Sequence, residues 1–246
     1  MVGQPFTGAG YLLRGLQLIG RPGLRRFVAI PLAINVVLFS LMIWLGAHEF
    51  ENLLNALLPQ LPSWLSWLSW LLWLFFALAV LLIFFYTFTL VANIVASPFN
   101  AFLAEAVELQ LTGREPEQEA FSMKALIASI GPALRDEMKK LLYFLVWAIP
   151  LGILFFIPLL NLAAPFLWAL FSAWSLALEY SDFPMGNDGL EFAEQRRRLG
   201  GRKLLALGFG GTVLVGTLIP LLNLLVIPAA VAGATAMWVE QLKTRP

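Results

Sequence analysis

The densest chemistry in this sequence lies in one short stretch, Arg21-Pro22-Gly23-Leu24-Arg25-Arg26-Phe27, immediately ahead of a long apolar run. A proline there can take the first position of a helix, and a glycine lets the backbone come close to a ligand. On this reading the N–H groups of Gly23 and Leu24 are free and stand beside the guanidinium groups of Arg25 and Arg26. The positive end of a helix and two forked side chains then act in one direction, on an oxyanion. A plainer reading stands beside it: basic residues ahead of a membrane span orient the span and touch anionic lipid.

Little else in the chain could do chemistry. There is no cysteine, which excludes disulfides, thiolate catalysis and Cys metal sites. The single histidine, His48, stands beside Glu49 and Glu51 and reads as a solvated loop residue, so no metal site is expected. No nucleophile elbow, phosphate loop or zinc-protease motif occurs, and no paired carboxylates lie inside an apolar block. The apolar blocks instead hold neutral polar residues such as Asn35, Asn93, Asn161, Ser172 and Asn223. The chain is therefore read as a non-enzyme with no catalytic residue, no cofactor and no nucleic-acid partner. Glu105 and Glu108 are candidate carboxylates at the inner mouth of a pathway.

The elements that must position these residues follow from composition. Of 246 residues, 60% are hydrophobic and only 13% are charged, and the mean hydropathy is +0.81. That is membrane composition, and several uncharged runs exceed the roughly 20 residues that one crossing needs. Residues 28–46 read as a first transmembrane helix and residues 64–97 as a second, longer one, ended or kinked by Pro98. Trp64, Trp67, Trp70 and Trp73 suit an aromatic belt at headgroup level. Residues 101–140 read as cytoplasmic amphipathic helices with a break at Gly113, residues 141–178 and 204–239 as two helical hairpins, and residues 179–203 as a basic cytoplasmic segment. The expected class is an all-α integral membrane protein, with two full transmembrane helices, two partly inserted hairpins and amphipathic helices. One topology places all 16 Lys and Arg inside, because the segment from Ala47 to Ser63 has none. Both termini are then cytoplasmic.

Each hairpin carries the same hexapeptide, Ile-Pro-Leu-Leu-Asn-Leu, at Ile157–Leu162 and at Ile219–Leu224. Pro158 and Pro220 can open or kink a helix, and Asn161 and Asn223 can cap the freed backbone groups. The doubled motif reads as two apexes, which in a membrane must be sheltered by protein or line a wet cavity. Paired, proline-interrupted apolar blocks are also a pattern that points to a transport pathway. Two ordinary tight hairpins of full crossings fit the same residues.

Three stretches carry a resemblance: Pro5-Phe6 with Arg21 to Phe39 (RPGLRRFVAIPLAINVVLF), Ala96 to Glu108 (ASPFNAFLAEAVE), and the paired hexapeptides. Together they resemble the bacterial inner-membrane sulfate permeases of the CysZ family, over essentially the whole chain. The resemblance implies sulfate uptake that feeds sulfur assimilation into cysteine, and a homo-oligomer built from dimers. It also implies that Gly23, Leu24, Arg25 and Arg26 bind sulfate. A competing reading of the residues is a nonenzymatic scaffold or accessory subunit whose arginines hold membrane lipids.

Overall fold

The computed structural model describes residues 4–57, 69–113 and 123–243. Among them every regular element is helical: α1 (Gln4–Ile19), α2 (Arg25–Leu57), α3 (Ser69–Thr112), α4 (Met123–Leu154), α5 (Ala164–Asn187), α6 (Phe192–Gly201), α7 (Lys203–Thr217) and α8 (Pro220–Met237). A short 3-10 turn at Leu160–Leu162 precedes α5, and a π turn at Trp238–Leu242 extends α8. The chain divides into two compact units, Ala29–Phe99 on the one hand and Met1–Val28 with Asn100–Pro246 on the other.

The Ala29–Phe99 unit contains most of α2 and the first part of α3. Arg25–Trp44 spans 20 residues and is long and apolar enough to cross a membrane, at about 1.5 Å per residue. Val36, Val37 and Ile43 on α2, and Phe75, Ile83 and Phe85 on α3, are each more than half exposed. Continuous apolar surface of this kind is foreign to water-soluble folds and suits hydrocarbon. Trp70 and Trp73 are exposed on α3, whereas Trp64 and Trp67 lie outside the described residues.

Two sequence expectations are corrected in these helices. His48, Glu49 and Glu51 are not in a loop: α2 continues to Leu57, because nothing from Ala47 onward breaks it. Of the two outcomes expected at Pro98, an end or a kink, the end does not occur. The helix α3 passes through Pro98 to Thr112 and stops at Gly113, whose φ of 66° is left-handed and whose N–H bonds the Leu109 carbonyl at 2.8 Å. Likewise α4 joins the charged residues before Leu141 to the apolar residues after it in a single helix.

In the other unit, the sequence reading assigned no element to α1, which turns out to be central to the packing. Its buried residues, Gly8, Tyr11, Leu12, Gly15, Leu18 and Ile19, recur at intervals of three and four, and this face packs on α7 and α8. The approach is close enough that glycines are required. A Cβ on Gly8 would meet the Leu205 carbonyl of α7, and one on Gly208 the Pro5 carbonyl of α1. On α8 the same holds for Gly233 against the Tyr11 carbonyl, and for Gly15 of α1 against Ala229. Gly210 of α7 lies in the same way against Ala173 of α5. Small residues that bring backbones together are how helices associate where the hydrophobic effect cannot drive them. Leu222–Leu242 is also long and apolar enough to cross a membrane, but 67% of it is buried, as expected of a helix that is apolar all round.

Candidate functional site

The link between α1 and α2 is a tight turn. Arg21 N–H donates to the Leu18 carbonyl at 2.9 Å, and Leu24 N–H donates back to the Arg21 carbonyl at 3.2 Å. Pro22 and Gly23 are the two central residues, and Gly23 has φ of 89°. Proline second and a left-handed glycine third define a type II turn, the reason these two residues stand side by side. Leu24 is 1% exposed and plugs the turn into the protein, while Phe27 N–H bonds the Leu24 carbonyl at 3.0 Å and begins the helix.

This geometry changes two details of the expected pocket. Pro22 is the corner of a turn rather than the first helical residue, because α2 begins at Arg25. Leu24 N–H is not free, since Arg21 takes it. Among the described residues no backbone bond uses the N–H of Gly23, Arg25 or Arg26, so those three donors stand where the helix dipole is positive. Arg25 Nε donates to the Gly20 carbonyl at 2.5 Å, which fixes the direction of its guanidinium. The Arg26 guanidinium lies 4.9 Å from the Phe27 ring centre. A residue that sequence reasoning missed closes the turn: Gln110, in the last turn of α3, donates from Nε2 to the Pro22 carbonyl at 3.2 Å. The arrangement presents exposed arginines and amide donors, which is suited to holding an oxyanion by charge-assisted hydrogen bonds.

Of the other candidate residues, Glu105 and Glu108 share the end of α3 with Gln110, while Asn161 and Asn223 lie on other elements. Glu108 is paired with Lys243 at 2.6 Å, and Lys243 in turn with Asp188 at 2.7 Å, where Trp238 Nε1 also donates at 2.7 Å. Burial alone would lower the Lys243 pKa, but the hydrogen bonds that its ammonium donates to Asp188 and Glu108, with their charges, outweigh it and hold the pKa above the usual lysine value. Glu105, one turn earlier on α3, is half-buried. Asn161 is exposed in the turn between α4 and α5, and Asn223 is half-buried in the first turn of α8. Neither asparagine caps a helix with its side chain, contrary to expectation: the caps are Leu159 and Ala163 around the 3-10 turn, and Ile219 at α8. Pro158 precedes the strained Leu159, whereas Pro220 occupies the first position of α8. Among the described residues no cluster of three His, Asp or Glu could hold a metal ion.

A second charged centre, also unforeseen, sits midway along α4. Lys140, 7% exposed, reaches Asp182 at 2.9 Å and Glu179 at 3.0 Å on α5, and Gln195 of α6 donates to Asp182 at 2.8 Å. Burial would lower the Lys140 pKa, yet the two carboxylates more than offset it and the net direction is upward.

Set against known proteins, residues 11–228 match the family described as Sulfate transporter CysZ/Etoposide-induced protein 2.4. A sulfate transporter CysZ of Pseudomonas fluorescens (strain Pf0-1) is 48% identical over 235 residues, covering 96% of this chain and 94% of the relative. The protein of that name from Pseudomonas aeruginosa (strain LESB58) is 46% identical over 235 residues, with 96% and 95% covered. One from Vibrio parahaemolyticus is 42% identical over 241 residues, with 98% and 97% covered. The likeness therefore extends through the turn, both apolar helices and both hairpins, and the chain belongs to the Sulfate transporter CysZ/Etoposide-induced protein 2.4 family.

Proposed function

We propose that this chain is a sulfate permease of the bacterial inner membrane, and that Gly23, Leu24, Arg25 and Arg26 form the turn that receives the anion on the cytoplasmic side. The observation that carries the reading is the turn itself: three amide donors at the start of a 33-residue helix, with two arginines beside them. Leu24 serves as the buried anchor and its neighbours serve as donors. Sulfate is a dianion with four acceptor oxygens and no obligatory donor, so a site of N–H groups and guanidinium forks satisfies it without a countervailing acceptor. The names of the relatives support the same cargo.

In this reading both termini, residues 101–140 and residues 179–203 face the cytoplasm, because that arrangement keeps every basic residue inside. The segments at 141–178 and 204–239 enter the membrane partly as hairpins, with Asn161 and Asn223 available to a hydrated pathway. Several copies, built from dimers, assemble that pathway, and the sulfate delivered supplies sulfur for cysteine synthesis.

The test is sulfate titration calorimetry on the folded protein, with uptake into proteoliposomes beside it. Replacing Arg25 or Arg26 by alanine is expected to weaken sulfate about tenfold or more, since each charge-assisted bond contributes roughly 1.5–3 kcal/mol. Lysine at either place is expected to restore part of the loss, as it keeps the charge without the fork. If the arginines serve lipid instead, both variants will bind sulfate as the parent does and differ only in their dependence on anionic lipid.

A further inference from the structure

The turn that presents Gly23 is held from a distant part of the chain. Gln110 lies in the last turn of α3, where Glu108 is tied to Lys243 at 2.6 Å. That tie fixes the helix end which carries Gln110. From there the Gln110 carboxamide donates to the Pro22 carbonyl at 3.2 Å, and the same nitrogen would lie 3.7 Å from a Cβ placed on Gly23. The amide thus lies against the Pro22–Gly23 peptide.

A trans peptide plane carries its C=O and its N–H on opposite sides. Fixing the Pro22 carbonyl toward Gln110 therefore fixes the Gly23 N–H away from it. The central peptide of a tight turn has two orientations, one giving the type I turn and the other the type II turn. In the first, a carbonyl points where the second places an N–H. For an anion the difference is that between an acceptor, which repels, and a donor, which binds.

We propose that Gln110 is the positioning residue of the sulfate turn: by holding the Pro22 carbonyl it keeps the central peptide in the orientation that offers Gly23 N–H to the anion. This rests on the assignment of sulfate to the turn, made above. Gln110 acts through the peptide plane, so its effect is read at Gly23 as well as in affinity.

The sequence supplies a specific readout, because Pro22–Gly23 is the only Pro–Gly pair in the chain. Full-length protein labelled with carbonyl-13C proline and 15N glycine then gives one amide signal in a carbonyl-filtered NMR experiment, and that signal is Gly23. Sodium sulfate is expected to shift it saturably in the parent protein. Gln110→Leu is expected to move the sulfate-free signal and to weaken sulfate about three- to tenfold, the range of one lost hydrogen bond. Gln110→Glu, which sets a carboxylate against the Pro22 carbonyl, is expected to do so more strongly. Gln110 is exposed, so both variants are compatible with folding. An unmoved Gly23 signal in Gln110→Leu, or parental sulfate affinity in both variants, would overturn the proposal. If sulfate neither binds the parent nor shifts its signal, the assignment of the turn to sulfate falls first, and this inference with it, before any variant is made.

Discussion

Residues 157–162 and residues 219–224 share one hexapeptide, yet between α4 and α5 it forms an open turn and between α7 and α8 it forms the start of a helix. The first places Leu159 at φ of 70° and leaves Phe156 87% and Leu159 83% exposed. In the second, Pro220 begins α8, and from Pro228 to Trp238 every residue is buried. The two hairpins are also held by different means. The arms of the first are joined at the base by Lys140 with Asp182 and Glu179, and farther along by Trp174 Nε1 donating to the Tyr143 hydroxyl at 3.0 Å. Those of the second lie against α1 through glycine contacts over much of their length. A single apolar motif thus serves a hairpin pinned at its root and a hairpin packed along its flank; neighbours decide which.

The contrast can be broken most forcefully at the glycines. Gly233→Leu drives a side chain into the α1 backbone at Tyr11, and about 3 kcal/mol or more of stability should be lost. Gly152→Leu in α4 meets open space and should be neutral, or stabilising by up to about 1 kcal/mol through helix propensity. Thermal or denaturant midpoints of the two proteins in the same detergent measure the gap.

Next in size is the ionic root. Lys140→Met strands Asp182 and Glu179, and because those carboxylates are a third to a half exposed the loss should be about 2 kcal/mol, below that of a fully buried pair. The pH dependence has a definite sign. A lysine held above its ordinary value of 10.5 contributes fully below that pH, and its contribution disappears as pH rises through the higher folded value. The parent protein should therefore lose stability in strong alkali relative to Lys140→Met.

The smallest effect is the most diagnostic, since one substitution should have opposite signs at the two copies. Leu159→Gly relieves a left-handed leucine and should stabilise by about 1 kcal/mol. Leu221→Gly, at the matching place in the first turn of α8, should destabilise by about 0.5–1 kcal/mol. Equal signs would mean that the two copies are not held differently.

Much of this was legible in the sequence, and the limits have physical causes. The apolar blocks, the Gly113 stop and the arginine pair announce themselves because composition and backbone freedom are local properties. The two fates of the hexapeptide go with different placements of the next proline. Pro165 stands at the start of α5, seven residues after Pro158, whereas Pro228 lies inside α8, eight residues after Pro220. Gln110 had no local signature, because its partner Pro22 is 88 residues away. The helix α1 did have one, in Gly8 and Gly15 seven apart with Tyr11, Leu12, Leu18 and Ile19 at helical spacing around them, but the arginines that follow it carry the more conspicuous signal.

The docking of α1 on α7 and α8 has a consequence for how the molecule is made. The buried face of the first helix finds its partners only when the last two have been synthesised, about 200 residues later, which at roughly 5–20 residues per second is a delay on the order of 10–40 seconds. Through that interval α1 carries an apolar stripe with nowhere to go. Contacts so distant along the chain form late and slow the assembly of the whole. The helices α7 and α8 thus act as the latch of biogenesis, and a chain interrupted before Lys203 would leave α1 without either of them.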